Sequence, residues 1–226
     1  MNGIKQAALA ATATVTLSAP AIAQERPIAF EGATILTMAG DSGTGSIENA
    51  TLVIRDGEIV AVGAGVNIPA NADRRDASDM VIMPGIVDTH SHIGQVTGAD
   101  SSSAIQPDVR AFDSINVRDS SIDRARSGGV TTANIMPGSG FLMSGQTFYM
   151  HLTQGNSITD YAWMSDDGAV LGGMKMANGT NPFRDNPAFP STRARSAAMV
   201  RQHFVTSQEY CRGERSPRDI GLDAMC

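Results

Sequence analysis

The chain is short of positive charge, of long apolar runs, of cysteine and of histidine, and each shortage closes off a class of explanation. It has 17 Lys and Arg against 23 Asp and Glu, a net charge of -6. That balance supplies no basic face able to neutralise several phosphates, so no nucleic-acid partner is expected. Beyond the first two dozen residues no apolar stretch approaches the roughly 20 residues of a spanning helix, so no membrane span is expected in the mature chain. The two cysteines, Cys211 and Cys226, stand neither beside a His nor in a C-x-x-C pair, which argues against a catalytic thiol. Their pairing stays open between a disulfide and two free thiols. Only four histidines occur, at 90, 92, 151 and 203.

What is there begins with the first 23 residues. One charge, Lys5, precedes an uncharged run from Ala7 to Leu17; Pro20 follows, and then Ala21-Ile22-Ala23. A basic start, a short apolar middle and small residues at the end make a secretory signal peptide, with cleavage expected after Ala23. The mature protein is expected to be exported, either periplasmic or secreted.

Residues 24–83 are patterned as strands. Thr51 to Arg55 and Glu58 to Val62 flank Asp56-Gly57, a hairpin signal because both turn positions need positive φ. Ile28 to Met38 is a further β-rich run broken by Gly32, and Ile68 to Asp79 has the polarity of a loop. From residue 84 the pattern alternates. Ile86-Val87 has the character of a buried strand of a parallel sheet. Ser120-Ser121-Ile122-Asp123 matches a capping box, with Gly128 as the stop. Val130 to Met136 is then the returning strand of a βαβ unit. Thr147 to Leu152 and Val170 to Met176 are candidate strands. Ser191 opens a long helix with Met199, Val200, Phe204 and Val205 on its apolar side, and Pro217 has the place of a new helix's first turn.

His90 and His92 are the sharpest chemical feature. Residues i and i+2 of a strand share a face, so two imidazoles at a strand's end can converge on one ion. They sit in Pro84-Gly85-Ile86-Val87-Asp88-Thr89-His90-Ser91-His92, which resembles the P-G-x-x-D-x-H-x-H opening of the amidohydrolase superfamily. Asp56-Gly57-Glu58-Ile59-Val60-Ala61-Val62-Gly63 resembles a recurring phrase of that family's N-terminal β-domain, and Gly129-Val130-Thr131-Thr132 its second barrel strand. Ser144-Gly145-Gln146-Thr147 and Gly173-Met174-Lys175-Met176 are similar to the imidazolonepropionase-like and prolidase-like branch.

The resemblance implies an α/β fold: a small β-sandwich-type domain over 24–83, then the first part of a (β/α)8 barrel over 84–226. It implies a hydrolase of non-peptide C–N bonds, acting on a small molecule with an amide or cyclic amide bond. Its cofactor is one or two divalent metals, usually zinc, held by His90 and His92, and the metal activates a water. Lys175 stands where some members carry a carboxylated, metal-bridging lysine. The branch's G-E-N-P becomes Gly179-Thr180-Asn181-Pro182 here, with Thr in place of the acid. Asp88 is expected to be structural or to support a ligand. His203 is expected on a helix surface and His151 in a structural or exposed role. A barrel takes about 250 residues and the region from Pro84 holds about 140, so the barrel is expected to be incomplete and the chain truncated, inactive alone. The other reading is an exported, non-catalytic binding module built on a degenerate half-barrel.

Overall fold

The computed structural model describes residues 26–39, 45–94, 96 and 98–226. The expected signal peptide and most of the Gly40–Gly45 loop lie outside the described residues. The chain divides into two compact units between Pro84 and Gly85.

The first unit is one mixed sheet of five strands: β1 (Ile28–Leu36), β2 (Ser46–Arg55), β3 (Glu58–Gly63), β4 (Asp73–Asp76) and β5 (Val81–Ile82). The order is β3-β2-β1-β4, with β5 also beside β1. β2 and β3 form the expected hairpin, and Asp56 and Gly57 turn it with φ of 51° and 80°. β2 alternates as a sheet covered on both faces should. Leu52 joins Ala33, Ile35, Ala50 and Ala77 in one apolar cluster, while Val53 joins Ala29 and Ala72 in another.

Two expectations change here. Gly32, at φ 83°, bends β1 without ending it. A register shift at this point lets the first half of β1 pair with β4 and the second half with β5, both parallel. The segment expected as loop contains β4, whose sequence Asp-Arg-Arg-Asp has no strand propensity. It is extended because β1 supplies hydrogen-bond partners at both ends, Asp73 N to Pro27 O at 2.7 Å and Ala77 N to Glu31 O at 2.8 Å. Arg74 adds an ion pair to Glu31.

The second unit contains β6 (Ile86–Ser91), α1 (Ser120–Ser127), β7 (Val130–Ile135), β8 (Met143–Gln146), β9 (Phe148–His151), α2 (Ile158–Tyr161), β10 (Met174–Met176), α3 (Arg193–Cys211) and α4 (Ile220–Asp223). β6 and β7 are parallel with α1 between them, the βαβ unit expected from sequence. β9 joins β7 antiparallel, and β8 pairs with β10 in a separate two-stranded sheet. The core lies on one face of β6-β7-β9, where Ala133, Ile135, Phe148 and Met150 pack with Ile122 of α1.

Several details differ from the sequence reading. The α1 cap is Asp119, whose carboxylate accepts from Ser121 N at 2.9 Å; a carboxylate one residue earlier reaches the free N–H groups better than the Ser120 box. Ile86 and Val87 are exposed, not buried, because among the described residues β6 has a strand partner only in β7. On α3 the sheltered positions are Ser196, Met199, Val200, His203 and Ser207, while Phe204 and Val205 are exposed. Pro217 precedes the last helix; α4 starts at Ile220 and is capped by Asp219. Cys211 and Cys226 form a disulfide, which settles the open choice between pairing and free thiols.

Candidate metal centre

The end of β6 sets the site. Ser91 is buried and pairs with Ile135 on the core side. Side chains alternate along a strand, so His90 and His92 project from the other face. Their rings meet edge to face with centroids 5.2 Å apart.

Met136, one residue past β7, holds this corner. Its N–H donates to the Ser91 carbonyl at 3.0 Å. Its own carbonyl lies 2.7 Å from His92 Nδ1. A carbonyl oxygen only accepts, so Nδ1 carries the proton and Nε2 presents a lone pair. That is the arrangement of a ligating imidazole with its second nitrogen anchored. Asp88 does not reach either ring in this way. Its Oδ1 accepts the backbone N–H of His90 at 3.1 Å, bracing the strand end.

Lys175, in the middle of β10, reaches the pair from the second sheet. Its Nζ lies 3.2 Å from His90 Nε2 and 3.3 Å from Met136 Sδ. The side chain is buried, and among the described residues it has no acidic partner. Burial pushes its pKa below the ordinary lysine value, since loss of water disfavours the ammonium. The uncharged amine is also the form that adds CO2, which would turn a repelling cation into an anionic oxygen donor.

The three sequence candidates, His90, His92 and Lys175, are therefore neighbours. One imidazole has its tautomer fixed by Met136, and the other lies against an amine whose pKa burial lowers, a set of groups that could take up a divalent ion. Among the described residues no cluster of three or more His, Cys, Asp or Glu could hold a metal, so the histidine pair has no third ligand of those types.

No protein-family profile matches the chain. A crystal structure of an amidohydrolase from Thermotoga maritima MSB8 superposes with a TM-score of 0.73 over 87% of this chain, at 25% sequence identity. An amidohydrolase of Hapsidospora irregularis is 29% identical over 162 residues, 64% of this chain. A 5'-deoxyadenosine deaminase of Methanosarcina acetivorans is 42% identical over 66 residues, 29% of this chain. In fold, and over part of its length in sequence, the chain is similar to amidohydrolases.

Beside these relatives the chain is short. It spans 54% of the Thermotoga structure, 16% of the Hapsidospora protein and 14% of the deaminase. The remaining two histidines have surroundings of their own. His151 is exposed on β9 and stacks on Trp163, ring centroids 4.5 Å apart. His203 is not the simple helix-surface residue expected. Its Nε2 is shielded from solvent without a hydrogen-bond partner, and burial lowers its pKa against a smaller opposing pull from Asp219.

Sequence reasoning missed Met136 and Asn134. Met136 acts through its carbonyl, which no residue type announces. Asn134 was findable: if Ala133 and Ile135 face the core, Asn134 lies on the other face of β7.

Proposed function

We propose that this chain contributes His90, His92 and a carboxylated Lys175 to the divalent metal centre of a hydrolase that cleaves non-peptide C–N bonds in a small amide or cyclic amide. The observation that carries this reading is the convergence of the three side chains, with the His92 proton placed on Nδ1 by Met136. The similar proteins point the same way, being amidohydrolases and a deaminase. Zinc suits the imidazole donors best. When bound, the ion supplies Lewis-acid polarisation of a carbonyl and of water.

The chain's own groups have separable tasks. His92 is oriented by Met136 and His90 by the Asp88 brace on its backbone. Burial lowers the Lys175 pKa and so favours the free amine, which after taking up CO2 and releasing a proton would offer carbamate oxygens. The further ligands and the acid–base group belong, in this reading, to later strands of the family's barrel. Export fits the N-terminal pattern and the Cys211–Cys226 disulfide, which persists in oxidising compartments.

Elemental analysis of the purified chain tests the centre. Zinc should co-purify with the wild type and be lost from the His90→Ala/His92→Ala variant, and a carbamate carbon signal from labelled bicarbonate should disappear in Lys175→Met. Equal zinc in wild type and double variant would sink the reading.

A further inference from the structure

One face of the β6-β7-β9 sheet is closed by the core; the other carries the histidine pair and has a lining of its own. Asn134 and Tyr149 are direct partners across β7 and β9. Their neighbours Ile135 and Phe148 pair in the same way and are fully buried in the core. Ser91 pairs with that same Ile135. Asn134 and Tyr149 therefore stand side by side on the outer face, and the register shift between Asp88 and Ser91 brings Thr89 and His90 of β6 opposite Asn134. With strands about 4.8 Å apart, the Tyr149 backbone lies about 10 Å from that of His90.

Two features of this row have no structural use within the described residues. The side-chain oxygen of Asn134 is shielded from solvent and receives no hydrogen bond, a costly condition for a carbonyl. Beyond it, Trp163 lies against both Tyr149 and His151, with ring centroids at 6.1 Å and 4.5 Å. Trp163 and Tyr149 are exposed at 36% and 37%. The aromatic faces are thus ordered by one another but not covered.

We infer that Asn134, Tyr149 and Trp163 form the subsite for the leaving-group side of the substrate, and that this side is a flat unsaturated ring carrying the N–H of the amide to be cleaved. This rests on His90, His92 and Lys175 being the reacting centre. The ring stacks on the Tyr149–Trp163 wall, the N–H donates to Asn134 Oδ1, and the bond to be cleaved lies toward His90.

Trp163 is the sole tryptophan of the chain, so its fluorescence reports on this wall directly. Three simple amides separate the two recognition elements in the wild-type chain: acetanilide has the flat ring and the N–H, N-methylacetanilide lacks the N–H, and N-cyclohexylacetamide lacks the flat ring. Acetanilide should give a saturable change in emission. N-methylacetanilide should bind about tenfold more weakly, and the cyclohexyl compound about fivefold more weakly. In Asn134→Leu the two anilides should become equal; in Tyr149→Leu the advantage of the flat ring should shrink. Equal responses to all three amides, or none, in wild-type chain that retains zinc would overturn the subsite and leave the metal centre standing. Retained ring binding in a chain whose zinc content ignores His90 and His92 would do the opposite.

Discussion

The two units bury different things. In the first, the buried set is Ala29, Ala33, Ile35, Ala50, Leu52, Val53, Ala72 and Ala77 with their apolar neighbours. Every buried polar or charged side chain among the described residues falls in the second: Ser91, Gln106, Ser144, Thr147, Lys175, Ser196 and Ser207. Burying such groups costs stability unless each is partnered. A hairpin and an alternating pattern specify β2 and β3 of the first unit. In the second unit most of these groups find partners, as Gln106, Thr147, Ser196 and Ser207 do, while Lys175 is buried against His90.

The contrast can be broken by showing that the units do not respond separately. Phe148→Ala removes a fully buried ring from the second unit's core and should cost about 3–5 kcal/mol. Denaturant unfolding followed at Trp163 should move by that amount, while exchange protection of the β2–β3 amides stays put. A matching loss of protection in β2–β3 would show one cooperative body. A smaller effect is expected from the first unit. Gly57→Ala forces a side chain onto a residue with φ 80° and should cost about 1–2 kcal/mol, read as faster exchange in β2 and β3 with the zinc content unchanged.

The smallest effect sharpens the comparison through pH. His203 has a folded-state pKa below its ordinary 6.5 because it is buried. Between those two values the unfolded chain binds the proton more readily, so this contribution to stability is whole above about pH 6.5 and falls away as pH drops through the folded value. Asp219 opposes the loss without reversing it; Asp108 and Arg218 line the same cavity with opposite charges. Thermal unfolding of the second unit should therefore decline below that pH, and His203→Gln should flatten the decline. An unchanged slope in the variant would place the pH sensitivity elsewhere.

Sequence alone determined the features in which neighbouring residues decide their own conformation. Asp56-Gly57 made the turn, strand alternation set the β2 faces, Gly128 ended α1, and the His-x-His spacing put two imidazoles on one face. Tertiary structure decided what depends on partners far along the chain. β4 is a strand only because β1 supplies its hydrogen bonds, and Ile86 and Val87 are exposed because β6 has one neighbour among the described residues. Lys175 meets His90 across 85 residues, and the His92 proton is placed by a carbonyl whose position no side chain encodes. Local pattern carries propensity and spacing; it does not carry which backbone oxygen, or which strand edge, comes to lie alongside.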